Sequence, residues 1–240
     1  MRLDKFICKS TELTRTEAKK ILKSGAVKVN GEVIKNPATQ VHENNTISLS
    51  NGSSEQVLSA RSSRYIMMHK PQDTICSNVD EVYPSILHYI DVDKVFDLHI
   101  AGRLDADTTG LVLITDDGRW SHNIISPKKD CAKTYRVKLR DLITKEKQEK
   151  IINRFNEGIQ LQGEKDLTKP AILKMVAENE VLLTITEGKY HQVKRMFAAV
   201  GNKVIGLHRE KIGTLSLDDG LELGQWRYLN EEEINSFYEE

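Results

Sequence analysis

Apolar positions change their period twice within the first fifty residues. Leu3, Phe6 and Ile7 recur at i, i+3, i+4 spacing and predict a helix, with Arg2, Lys5 and Lys9 together on another face. Ala18, Ile21 and Leu22 repeat that spacing in a second helix. Thr14 followed by Glu17 is a capping-box start for it, and Gly25 suits a left-handed end. The period then falls to two in VKVNGEVI, where Asn30-Gly31 predicts a tight hairpin. Residues 51–63, NGSSEQVLSARSS, are polar, rich in Ser and without apolar periodicity, and read as a linker. The expected organisation is therefore a small unit at 1–50, a linker at 51–63 and a larger unit at 64–240.

In the larger unit strands and helices mix. RYIMMHK predicts a strand ended by Pro71, and LVLIT at 111–115 a short buried strand, followed by a turn at Asp116-Asp117-Gly118. AKTYRVKL alternates, with Tyr135, Val137 and Leu139 on one face and Arg136 and Lys138 on the other. A helix is predicted over 144–156, with Ile151, Ile152 and Phe155 inward and Gly158 closing it. AILKMVA and VLLTIT flank a polar turn at 178–180 and predict a hairpin. A helix follows over 191–200, closed by Gly201, and Asn230 with Glu233 caps a last short one. No regular βαβ repeat emerges, so the fold class expected is α+β, built on a mostly antiparallel mixed sheet with flanking helices.

Charge changes the picture of the first unit. The whole chain is formally neutral, but residues 1–50 carry nine Lys/Arg against five Asp/Glu, an excess of four positive charges, while the tail EEEINSFYEE is acidic. At about 100° per residue, Lys19, Lys20 and Lys23 fall in one arc opposite the second helix's core stripe. Such an arc is either a solvated helix face or one that tracks phosphates. Its place beside a compact hairpin favours phosphates. A balance of 39% apolar and 29% charged residues is that of a globular protein able to bury a core. No apolar run is long enough to span a bilayer, and the charged N-terminus lacks a signal-peptide core. Cys8, Cys76 and Cys131 are odd in number and far apart, which fits a reducing cytoplasm rather than a disulfide framework. No CxxC or HExxH pattern occurs, so no metal site is expected.

AGRLDADTTGLVLIT is the most unusual stretch, setting Arg103 and Asp105 in a loop that feeds a buried strand. By spacing alone, Asp105 makes either an Asx-type turn or a catalytic carboxylate. In HQVKRMFAAVG, Val193, Met196, Phe197 and Val200 form a core stripe; Lys194 sits on its border and Arg195 points nearly away. A border lysine can lean into a cleft and an outward arginine can meet phosphate, although a solvated face accommodates both.

These segments together resemble known families. RLDKFI and TRTEAKKILKSGAVKVNGEVI resemble an S4 RNA-binding module over about the first fifty residues. GRLDADTTGLVL resembles the G-R-L-D motif of pseudouridine synthases, AKTYRV their K-x-Y motif, EGKYHQVKRMFAAVGN with LHREKIG their third, and HKPQ their N-K-P segment. GEKDLTKPA at 163–171 and YHQVKRM point to the A branch, which acts on small-subunit ribosomal RNA. His69 stands where that family usually has Asn, and Asp73 where Gly is common.

The resemblance implies isomerisation of a uridine in 16S ribosomal RNA, of the position-516 type. It implies Asp105 as the catalytic carboxylate, Tyr135 as the ring that stacks on the target base and assists proton removal, Lys194 as the cation beside the aspartate, and Arg103 as the first motif's arginine. Breaking N1–C1′, rotating the uracil and forming C5–C1′ oxidises nothing and spends no phosphate, so no cofactor is expected. The carboxylate can attack C1′, attack C6 or take a sugar proton; the sequence leaves all three open. Expected RNA contacts are Arg15, Lys19, Lys20 and Lys23 in the first unit, and Arg103, Arg119, Lys133, Arg195 and Arg209 in the second, with Lys128, Lys129, Lys189 and Lys211 as further candidates. For any single one of Arg119, Lys128, Lys129, Lys133, Lys189, Arg195, Arg209 and Lys211, surface solubility is an equal alternative. The expected partner is small-subunit ribosomal RNA or a pre-ribosomal particle, with no membrane partner and a monomeric chain.

Two other classes fit the sequence less well. A non-catalytic S4 protein would have lost Asp105, Tyr135 or Lys194, and all three are present. A metal-dependent nuclease could use Asp105, Asp107, Asp116 and Asp117 as an acidic cluster. Thr108-Thr109-Gly110 and a strand separate the two pairs, which disfavours it.

Overall fold

The structure, a computed structural model, describes residues 1–42, 44–52 and 54–238. Glu43, Ser53, Glu239 and Glu240 lie outside the described residues, and with them one acid of the N-terminal count, one serine of the expected linker and the last two acids of the tail. The chain divides into two compact units, Met1–Ser62 and Ser63–Glu240. Among the described residues no helix is long and apolar enough to cross a membrane.

In the first unit, α1 (Leu3–Ser10) and α2 (Arg15–Ser24) pack on a sheet of β1 (Val27–Val29), β2 (Glu32–Val33), β3 (Ile47–Ser50) and β4 (Glu55–Val57), ordered β2-β1-β3-β4 and antiparallel throughout. Thr14 and Glu17 form the reciprocal capping box, and Gly25 ends α2 at φ 82. Asn30 (φ 51) and Gly31 (φ 86) both take the left-handed backbone that a tight hairpin requires. Leu3, Ile7, Ala18, Leu22 and Val27 are fully buried between the layers.

Two expectations need correction here. The stretch read as a linker supplies β4, whose residues are all exposed and therefore show no apolar period. It is held by its ladder to β3, by Lys28–Glu55 at 3.0 Å and by buried Leu58. Nor do Arg2, Lys5 and Lys9 form an open basic face. Lys9 is buried, and Arg2 folds onto fully buried Asp4 with hydrogen bonds of 3.0 and 2.9 Å. Burial alone would raise the Asp4 carboxyl; the hydrogen bonds and charge of Arg2, with the charge of Arg15, outweigh it and hold it below the ordinary value. Arg15, 3.6 Å from Asp4, is likewise partly spent internally, while Lys19, Lys20 and Lys23 stay exposed.

The second unit is α+β. Its strands are β5 (Tyr65–Lys70), β6 (His99–Ala101), β7 (Thr109–Thr115), β8 (Lys133–Leu139), β9 (Ile172–Ala177), β10 (Glu180–Ile185), β11 (Val204–Ile212), β12 (Leu215–Ser216) and β13 (Trp226–Tyr228). They form a sheet ordered β13-β5-β7-β11-β8-β10-β9, with β6 beside β7 and β12 beside β11. The β7–β11 pairing is parallel, and the other ladders of the sheet are antiparallel. Its helices are α3 (Gly118–Ile125), α4 (Lys145–Glu157), α5 (Gln192–Ala199) and α6 (Glu231–Asn235).

Both faces of the sheet centre are covered, which is why RYIMMHK and LVLIT read as near-continuous apolar runs. Ile66, Met68, Val112 and Ile114 join Val137, Phe155 and Phe197 on one side, under α4 and α5. Met67, Leu111 and Leu113 join Trp120, Ile124 and Phe237 on the other, under α3 and the C-terminal segment. The expected turn at 116–118 is instead the start of α3. Asp117 caps it by accepting from the Arg119 and Trp120 N–H groups, and the helix buries Trp120.

Where β7 passes β11 the backbones nearly touch. Gly110 has φ 115, and a Cβ added there would overlap the Arg209 carbonyl oxygen and nitrogen. Gly31, by contrast, has open space around it. Gly110→Ala is expected to cost on the order of 2–5 kcal/mol from strain plus overlap, and Gly31→Ala about 1–2 kcal/mol from backbone alone. Urea unfolding of both variants checks the difference; equal losses would show that the close approach does not exist.

Candidate active site

The loop that enters β7 is fixed from beneath by a lysine. Lys70, the last residue of β5, is fully buried, and its ammonium donates to the carbonyls of Pro71 (3.0 Å), Ala106 (3.3 Å) and Thr108 (2.9 Å). Burial pushes that ammonium's pKa down. The Asp73 N–H also donates to the Ala106 carbonyl, and Thr108 N–H to the Asp105 carbonyl. Asp73 takes φ 57, a left-handed backbone that glycine adopts without strain. His69 is bonded through Nδ1 to the Leu221 carbonyl at 2.8 Å and packs edge-on against His208.

Onto this loop comes the first turn of α5. The Lys194 ammonium lies 2.9 Å from Asp105 Oδ2 and 2.7 and 3.0 Å from the two Asp107 oxygens. Burial works against the ammonium, but its hydrogen bonds to Asp107 and Asp105 and their charges outweigh it and raise its pKa above the ordinary lysine value. For Asp107, burial pushes up and the Lys194 hydrogen bond and charge push down; the carboxyl ends below its ordinary value. The stripe-border position of Lys194 thus lets its stem follow the core edge while its head reaches the acids. His191 precedes the helix at φ 47, with Nε2 3.4 Å from Asp105 Oδ1.

From β8 comes Tyr135, on the inward face with Val137 and Leu139 and 9% exposed. Arg209 of β11 braces it. That guanidinium is 2% exposed and donates to the carbonyls of Leu111 (2.8 Å) and Gly102 (3.0 Å), and more weakly to the Tyr135 hydroxyl (3.4 Å). Asp105, Lys194 and Tyr135 all line one cleft of about 110 Å³, with Arg103 on its wall and Ile185 and Leu207 as apolar sides. A carboxylate beside an ammonium and an aromatic ring, between apolar walls, suits a flat polar ring substrate on which a base or nucleophile acts.

Several expected RNA contacts lie elsewhere. Lys133 shares the inward parity of Tyr135; it is buried, donating to the Ile124 and Cys131 carbonyls at 2.6 and 2.7 Å, and burial lowers its pKa. Arg209 is buried as described. Arg195 is bound to Glu164 (3.1 Å) and to the carbonyls of Tyr190 and Gln162 (3.0 and 2.8 Å). Lys189 also pairs with Glu164, at 3.1 Å. Arg103, Arg119, Lys128 and Lys129 are exposed, and Lys211 is half-buried. In each buried case a loop carbonyl needs a donor, and periodicity carries no record of that need. The sequence reading does not place Lys70 or His191 in the site, and it names Asp107 only within the acidic cluster of the nuclease alternative, although all three stand within the quoted motif segments.

The acidic pairs of the nuclease reading do not gather. Asp105 and Asp107 precede β7, while Asp116 and Asp117 follow its seven residues, a span of about 20 Å. Asp116 is bound to Arg64, and Asp117 caps α3 and accepts from Tyr65 and Tyr238. Among the described residues no group of three His, Cys, Asp or Glu side chains is arranged to hold a metal ion.

Comparison with known proteins gives one consistent family. Residues 64–199 match the family described as RNA pseudouridylate synthase, and residues 1–47 match the S4 domain. The chain is 52% identical over 238 residues to the ribosomal small subunit pseudouridine synthase A of Vibrio cholerae, covering 99% of this chain and 100% of that one. With the protein of the same name from Escherichia coli it shares 46% over 236 residues, 98% and 99% covered. A solved structure described as a pseudouridylate synthase superposes with a TM-score of 0.71 at 47% identity, covering 99% and 100%.

The ion pair generates a pH prediction. Asp107, lowered, contributes stability above the ordinary aspartate pKa, which is lost as pH falls through its lowered value. Lys194, raised, contributes stability below the ordinary lysine pKa, which is lost as pH rises through its raised value. The stability gap between wild type and Lys194→Met is therefore expected to be widest in mid-range and to close at both ends. Because the groups are part-exposed, it should amount to about 1 kcal/mol or less. Carboxyl ¹³C titration should show Asp107 moving upward in the variant; an unmoved Asp107 would mean that the contact does not form in solution.

Proposed function

We propose, given that this chain belongs to the RNA pseudouridylate synthase family, that it isomerises a uridine of small-subunit ribosomal RNA to pseudouridine. The finer reading is the position-516 type in 16S RNA, using Asp105 and no cofactor, in the cytoplasm. What carries the proposal is the convergence of Asp105, Lys194 and Tyr135 on one cleft. The names of full-length relatives at about half identity support the substrate class.

In this reading a uridine leaves its stack, which costs a few kcal/mol and is easiest in a loop. Its uracil lies against the Tyr135 ring, between Ile185 and Leu207. Lys194 donates to one oxygen of the Asp105 carboxylate and fixes it in place. N1–C1′ breaks, the uracil turns on the tyrosine face, C5–C1′ forms, the C5 proton leaves and N1 is protonated; the product has the composition of the substrate. Arg103 at the wall and Arg119 on α3 are exposed for RNA phosphates, as are Lys19, Lys20 and Lys23 of the first unit.

Asp105→Asn is expected to lower turnover by at least about 10²–10⁴-fold with RNA affinity nearly kept. Tritium release from uridine labelled at C5 reads turnover, and normal release would refute the assignment. Mapping pseudouridine in 16S RNA from cells lacking the protein tests the target, and an unchanged map would remove it. Replacing Lys19, Lys20 and Lys23 with Ala in the full chain should reduce the salt slope of RNA binding by about 2–3, near 0.7–0.9 per phosphate contact. An unchanged slope would leave that arc a solvated face.

A further inference from the structure

At the mouth of the cleft the 187–192 turn presents an aromatic surface that no step of the isomerisation uses. Tyr190 is 77% exposed, yet its ring lies flat on the His191 imidazole, with centroids 3.8 Å and planes 22° apart. His191 in turn sits against the carboxylate, Nε2 3.4 Å from Asp105 Oδ1. Side chains are thus layered outward from the reacting group: carboxylate, imidazole, phenol.

The turn beneath is rigidly built. Arg195 donates to the Tyr190 carbonyl (3.0 Å), the Lys189 N–H to Gln192 Oε1 (2.8 Å) and Gln192 Nε2 to Glu187 Oε1 (2.9 Å), and Gln192 is 4% exposed. His191 holds φ 47, a strained backbone for a residue with a side chain. Most of the Tyr190 ring buries nothing in the free protein, so the hydrophobic effect of folding does not account for its placement. An aromatic surface fixed by its backbone and left open to water has its stacking entropy already spent before a ligand arrives.

RNA chemistry supplies the ligand. When a target uridine leaves its stack to enter the cleft, the adjoining base loses a stacking partner. That base is tethered one nucleotide from the cleft, and the Tyr190 ring stacks on His191, which lines it. We propose that the Tyr190–His191 pair is a stacking platform for the nucleobase adjoining the target uridine, replacing the uracil it has lost. Every base has a π-face, so the platform adds affinity without demanding one sequence. The inference rests on the uridine-isomerase reading of the cleft.

The test uses the full-length protein and a small-subunit ribosomal RNA transcript carrying C5-tritiated uridine. Tyr190→Ala is expected to raise KM roughly 5- to 150-fold, with most of the loss in KM rather than kcat, and to melt as wild type because the ring is exposed. Tyr190→Phe recovers most of the loss, since stacking uses the ring and not the hydroxyl. A transcript made abasic at one neighbour of the uridine weakens wild type by a similar factor and weakens Tyr190→Ala no further. A KM within twofold of wild type for Tyr190→Ala overturns the platform. So does Tyr190→Phe as weak as Tyr190→Ala, or an abasic loss undiminished in Tyr190→Ala for both neighbours. Absence of tritium release by wild type refutes the isomerase reading instead, and filter-binding affinities of the same transcripts then decide the platform alone.

Discussion

The contact on which the site depends is the bridge from one ammonium to two carboxylates. Lys194 on α5 reaches Asp105 and Asp107, 89 and 87 residues earlier in the chain. Two acids this close repel each other and would spread the loop. One cation between them turns repulsion into a three-centre clamp, whose sense is written in the opposite shifts of Asp107 and Lys194. The pairing is worth little as stability because its members are part-exposed. Its value is geometric: it fixes one oxygen of Asp105 while leaving Oδ1 toward His191 and the cleft.

That clamp works because both of its anchors are held elsewhere. The loop is held by Lys70, whose ammonium takes three carbonyls, and by the parallel seam of β7 and β11, which Gly110 allows to close. Arg209 crosses the seam and ties Gly102 and Leu111 to the Tyr135 hydroxyl. Helix α5 is held by Val193, Met196 and Phe197 in the same core that receives Tyr135 and Val137. Carboxylate, ammonium and ring therefore belong to one packed body, as a site requiring sub-ångström placement demands.

Several cations of this neutral chain serve its interior. Lys70, Lys133 and Arg209 donate to backbone carbonyls, and Arg195 holds a loop through Glu164 and two carbonyls. Counting Lys and Arg therefore overstates the surface available to RNA. Lys19, Lys20 and Lys23 of α2, with Arg103 and Arg119, are among the expected contacts that stay exposed.

The sequence alone determined the elements whose signals are local: the α2 capping box, the Asn30-Gly31 turn, the alternation of β8 and the core stripe of α5. Each follows from bonds or packing within about ten residues. It also pointed to Asp105, Tyr135 and Lys194, through the resemblance of the segments around them to the motifs of pseudouridine synthases; by spacing alone Asp105 stayed open between a turn and a catalytic role. Tertiary structure decided what depends on distant partners. Strand β4, exposed along its whole length, exists because β3 offers an open edge; α3 exists because Trp120 has a cavity between sheet and C-terminal segment. Lys133 and Arg209 turn inward because carbonyls separated from them in the chain need donors. The Tyr190–His191 stack forms on a backbone bent by contacts from α5. A side chain's period reports which face it occupies, whereas the hydrogen-bonding debt of a folded loop appears only once the chain has closed around it.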